Sequence, residues 1–147
     1  MKTTDNLKKE KMKNKLSKLH DESLIWLNEL KFAHDEHIFL EHLLSSHFLD
    51  LSTEKLYDPT RKLIKKLKEV EKWNDELTDS IHVHNKHMAT WIESLHTNGK
   101  KSLTKEHNQI KSDFETYTIN FKYVKKKIFS MIKEIMREHK QKLLLNK

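Results

Sequence analysis

Three residues at helical spacing carry the densest chemistry in this sequence: His34, His37 and Glu41, separated by steps of three and four. On a helix those steps put two imidazoles and a carboxylate on one face, a donor set that suits Zn, Mn or Fe. The other way to satisfy them is a network closed among protein groups. Glu41 would accept a hydrogen bond from His37 one turn away, and Asn74 and Tyr117, from other segments, would complete a polar core layer that fixes helix register. In a third arrangement Glu41 sits at the seam edge and reaches water. The closed network, with no cofactor, is the expectation; the metal set is the alternative to it.

His37-x-x-x-Glu41 resembles a fragment of the hemerythrin pattern. The His-x-x-x-His pair that the same pattern requires is missing, since Lys86, Met88 and Trp91 stand four residues beyond His82, His84 and His87. A two-metal site would further need Glu71 to turn inward. The remaining histidines, of 11 in all, concentrate in residues 34–47 and 82–96. His84 and His107 fall on apolar seams of different segments and are candidates for pH sensing, because imidazole titrates between about pH 5 and 8. Ser45, Ser46 and His47 are sequence neighbours and so point in different directions on a helix. No Cys is present, which removes disulfides, Cys-based zinc sites and thiol nucleophiles. A single Gly leaves no phosphate-cradling loop. With only the His/Glu layer to rest on, enzymatic activity is not expected.

These side chains need long helices to hold them. In 147 residues there is one Gly and one Pro, too few turn-formers for a barrel or sandwich. Leu27, Leu30, His34, His37, Glu41, Leu44, Phe48 and Leu51 recur in steps of three and four, the mark of one helical seam. A second seam runs from Leu63 through Asn74 and His84 to Leu95, and a third from Leu103 through His107 and Tyr117 to Ile135. Asp58-Pro59 reads as an N-cap followed by a first-turn proline, and Asn98-Gly99 as a helix end. Met12, Leu16 and Leu19 carry the first stripe upstream. The spacing therefore predicts helices over 7–51, 59–97 and 102–143, joined by short connections into an all-α, antiparallel up-down-up three-helix bundle in one domain, 1–147. A four-helix bundle is the alternative if residues 5–20 form a separate helix. Counting back from the two turns sets His37 and Glu41 level with Val70 and Asn74, and with Phe121 and Val124.

The stretch from Trp26 to Leu51, opening Trp-Leu-Asn-Glu-Leu, resembles the lead helix of small uncharacterised bacterial helical-bundle proteins. The resemblance is confined to that stretch and implies no activity.

Net charge is +7, with the excess in residues 1–20 and 122–147 and an acidic middle. Only Arg61 and Arg137 offer the bidentate fork used to grip phosphate or read guanine, so the Lys-rich surface argues against nucleic acid as a partner. The C-terminal helix is more suggestive. Ile128, Phe129, Met131, Ile132, Ile135 and Met136 cover a broad arc ringed by Lys and Arg, a face that suits a partner helix or an anionic membrane surface. A protein partner or self-association through this region and Leu143–Leu145 is expected. Residues 1–20 lack the apolar run of a secretory signal, and no apolar stretch approaches the roughly 20 residues of a membrane span. The expected protein is a non-enzymatic, cytoplasmic interaction or structural module.

Overall fold

The computed structural model describes residues 2–94 and 97–146, and their side chains apart from those of 2, 3, 5, 92–94 and 97–101. The chain is an all-α helical bundle of α1 (Lys2–Ser46), α2 (Phe48–Leu51), α3 (Tyr57–Ser94) and α4 (Thr97–Leu145). Among the described residues, no helix is long and apolar enough to cross a membrane.

The first helix stops earlier than its seam predicts. Ser45, Ser46 and His47 are weak helix formers. The Ser46 hydroxyl turns back to the His42 carbonyl at 2.8 Å, and the His47 N–H reaches Leu44, a three-residue bond that tightens the last turn. One further turn, α2, follows. Residues 5–20 are part of α1, so the additional helix is this single turn and not a separate N-terminal one.

The start of α3 also departs from expectation. Leu56 and Tyr57 both donate to Thr53, and the first helical bond runs from Thr60 N–H to Leu56. Asp58 and Pro59 thus lie inside the first turn, where an absent N–H costs nothing. Asn98 and Gly99 lie within α4 as described, and residues 95 and 96 lie outside the described residues.

The chain forms two compact units, residues 1–32 with 75–115 and residues 33–74 with 116–147. In the first, Leu16 clusters with Met88, Trp91 and Leu103, Ser23 meets Asn85, and His84 meets His107. Rising numbers on α3 therefore meet falling numbers on both α1 and α4. In the second, Thr60 pairs with Met131 and Asn74 with Tyr117, again antiparallel. Glu36 of α1 pairs with Lys125 and Asp50 of α2 with His139, so numbers rise together along α1, α2 and α4 there, as up-down-up order requires.

On α3 and α4 the buried positions follow the predicted seams, from Leu67 through Val70, Leu77 and Ile81 to Trp91, and from Leu103 through Ile110, Phe121 and Ile128 to Ile135. Leu95 lies outside the described residues. On α1 the seam differs. It passes through Leu16, Ser23, Trp26, Leu30, His37, Leu40 and Leu44, while His34 and Glu41 are exposed. The cause is a preference for apolar burial: this register covers Trp26 and Leu40 where the other would cover His34 and Glu41.

Candidate functional site

Two polar layers interrupt the apolar seams, one in each unit. In the second unit, α1 supplies His37, α3 supplies Asn74 and α4 supplies Tyr117. His37 is wholly buried; Asn74 and Tyr117 are 3% exposed. The Asn74 amide donates to the Tyr117 hydroxyl at 2.8 Å, and that hydroxyl lies 3.1 Å from His37 Nε2. The tautomer that takes the Tyr117 proton at Nε2 carries its own on Nδ1, an atom with no hydrogen-bond partner. The edge of the imidazole meets the Phe121 ring, centroids 4.2 Å apart. Burial lowers the His37 pKa to about 4, helped by the charges of His34 and Lys125 and opposed by Glu41. His37 is therefore a neutral core residue at physiological pH.

His34 and Glu41 do not join this layer. Both side chains stand in solvent on the flanks of α1, so the predicted hydrogen bond from His37 to Glu41 is replaced by the one to Tyr117. The metal set of His34, His37 and Glu41 does not converge, for the same reason of register. Among the described residues, no group of three or more His, Asp or Glu side chains is placed to hold a metal ion.

The layer in the first unit is larger. His84 on α3 and His107 on α4 are 0% and 2% exposed, and their rings meet through His84 Nε2 and His107 Nδ1 at 3.0 Å. At one end of the pair, His84 Nδ1 lies 2.5 Å from Glu106, whose carboxylate also takes His87 Nδ1 at 3.0 Å. At the other, His107 Nε2 lies 3.3 Å from Glu22 on α1. Trp26 packs beside His107 with ring centroids 4.6 Å apart and seals it from water. Above the pair, the wholly buried Ser23 hydroxyl contacts Asn85 Oδ1 at 2.6 Å.

Counting protons along Glu106, His84, His107 and Glu22 shows what the chain can do. Two neutral imidazoles bring two N–H groups to three gaps. If His84 donates to Glu106 and His107 Nδ1–H donates to His84, then His107 Nε2 faces Glu22 with a bare lone pair. That gap is the longest of the three, and His107 Nε2 is a buried nitrogen without a well-formed hydrogen bond. One further proton, taken up at His107 Nε2, completes every link.

The electrostatics oppose that uptake. Burial lowers the His107 pKa; the neighbouring Glu22 carboxylate raises it, and His84 and Lys111 lower it further. At Glu106 burial pushes the pKa up, but hydrogen bonds from His84 and His87 outweigh it and leave the carboxyl below its usual value. The arrangement is a hydrogen-bonded chain in which burial opposes the uptake of a proton at His107. The contacts of 2.5 and 3.0 Å that join His84 to Glu106 and His107 are hydrogen-bond distances.

His84 and His107 are legible in the sequence as seam positions. Glu22 and Glu106 are not, because each lies one position to the side of a seam and reads as surface charge. No family model, curated protein or solved structure matches the chain.

Proposed function

We propose that this chain is a non-enzymatic helical-bundle module that works by protein association, with a second copy of itself as partner. The observation that carries the reading is the apolar set left in water along the last turns of α4: Met136 is 59% exposed, Leu143 69%, Leu144 62% and Leu145 85%. Large side chains gathered this way mark an interface, because covering them removes apolar area from water. The polar core supports the same reading. His37, Asn74, Tyr117, His84 and His107 are engaged with neighbouring side chains inside the bundle, where they serve the fold and face no substrate.

Sedimentation velocity across the micromolar range tests it. The mass of the wild-type chain should rise towards that of a dimer with concentration. The variant Leu143→Ser/Leu144→Ser/Leu145→Ser should stay monomeric with unchanged helix content. A wild type that remains monomeric throughout, or a dimer indifferent to the three substitutions, would remove the basis for the proposal.

A further inference from the structure

The second unit contains a cavity that neither polar layer uses. It opens between α1, α2 and α3, has a volume of about 500 Å³, and is lined by Leu44, Phe48, Leu51, Ile64 and Leu67. That volume lies within the roughly 300–1,000 Å³ of small-molecule sites, which are apolar clefts with a few polar groups that orient the ligand. Leu44, Leu51 and Leu67 form a buried floor, whereas Phe48 is 66% exposed at the mouth. An aromatic side chain left in water beside an apolar hollow costs free energy that an occupant would recover.

The charges on the rim narrow the occupant. Arg61 and Lys68 both line the opening, seven residues apart and so on the same face of α3. Neither takes part in an ion pair or hydrogen bond among the described residues, in contrast to Lys66 and Lys125, which meet Glu69 and Glu36. Glu41 is the one carboxylate on the rim, and it comes from α1 across the opening. Two unengaged cations on one lip attract an anionic head, and a single carboxylate on the other disfavours a second negative charge. A guanidinium also binds carboxylate in bidentate fashion.

We propose that this cavity binds a free, single-chain amphipathic monoanion of the medium-chain carboxylate class, with its apolar tail on the Leu44, Leu51 and Leu67 floor and its carboxylate at Arg61 and Lys68. The site is separate from the apolar end of α4 and does not depend on association through it. A volume of this size holds one short tail and excludes a two-chain lipid.

Isothermal titration with decanoate and with uncharged decanol tests the assignment on the full chain. Decanoate should bind at one per chain, about tenfold more tightly than decanol, the factor expected of one charge-assisted contact. The variant Arg61→Gln/Lys68→Gln changes only exposed side chains and should erase that preference. Ser45→Trp, also at an exposed lining position, should block the mouth and abolish binding of both compounds. The assignment falls if decanoate gives no saturable heat, or if both compounds bind equally and Arg61→Gln/Lys68→Gln changes nothing. It falls equally if Ser45→Trp abolishes a dimer while decanoate has no effect, which would make a second copy the occupant.

Discussion

His107 Nε2 stands 3.3 Å from the Glu22 carboxylate, the widest gap in a chain of two buried imidazoles ended by half-exposed carboxylates, whose other contacts are 2.5 and 3.0 Å. A proton is missing from that gap when both imidazoles are neutral. Replacing Glu22 by Gln supplies an amide N–H that can donate to His107 Nε2 without any change in charge on the ring. Glu22→Gln should therefore gain about 1 kcal/mol at pH 7, the usual net worth of a hydrogen bond. Because Glu22 is also the group that raises the His107 pKa, the same substitution should push His107 titration lower still. Urea unfolding at pH 7 and NMR titration of the His107 ring check both halves. A loss of stability with the titration unmoved would mean that the gap is already bridged.

Acid should destabilise the fold through its buried histidines. His37 has its pKa lowered from 6.5 to about 4 in the folded chain. Between those values the unfolded chain binds a proton and the folded chain does not, so stability falls as pH falls through the window. For a wholly buried ring the full effect is about 3 kcal/mol, and His107, also lowered, acts with the same sign. Urea midpoints measured from pH 7.5 to 4.5 should decline, and His37→Gln should flatten the decline. A profile level down to pH 5 would contradict the burial of His37.

The Tyr117 hydroxyl serves two helices at once. Tyr117→Phe removes it while keeping the ring beside Phe121, and takes from both His37 Nε2 and Asn74 Nδ2 a polar contact inside the core. The cost should be about 2 kcal/mol, the penalty of leaving a buried polar group unsatisfied. His34→Ala and Glu41→Ala, on the solvent side of the same helix, should stay within about 0.5 kcal/mol of wild type. Thermal melts of the three variants decide whether the layer consists of His37, Asn74 and Tyr117 or extends to the residues beside it.

How far the fold and site can be read from the sequence differs between the helices. On α3 and α4 strong apolar residues hold most of the positions that recur in steps of three and four, and the seams follow directly from them. On α1 two registers share Leu30, His37 and Leu44, and they differ only in taking Trp26, Ala33 and Leu40 or Leu27, His34 and Glu41. Ala33 is a weak apolar signal, and a His/His/Glu set at helical spacing competes with it. Burial decides otherwise, since Leu40 is 1% exposed. The core histidines were visible from their seam positions; the carboxylates that complete their network depend on which flank faces a neighbour, a property of three packed helices and not of any one segment.

The contact between Ser23 and Asn85 has a further consequence. Leucine-rich heptads are nearly self-similar, so two such helices can slide past each other by seven residues and still cover most of their oily surface. A hydroxyl at 0% exposure that lies 2.9 Å from the His20 carbonyl of its own helix and 2.6 Å from the Asn85 amide oxygen on α3 weakens that degeneracy. A slipped alignment would leave the Ser23 hydroxyl only its contact within α1, and in the other unit it would part Asn74 from the Tyr117 hydroxyl. The few hydrophilic teeth in these repetitive seams act as a key, choosing one axial setting among many that greasy contact alone would leave almost equal in energy.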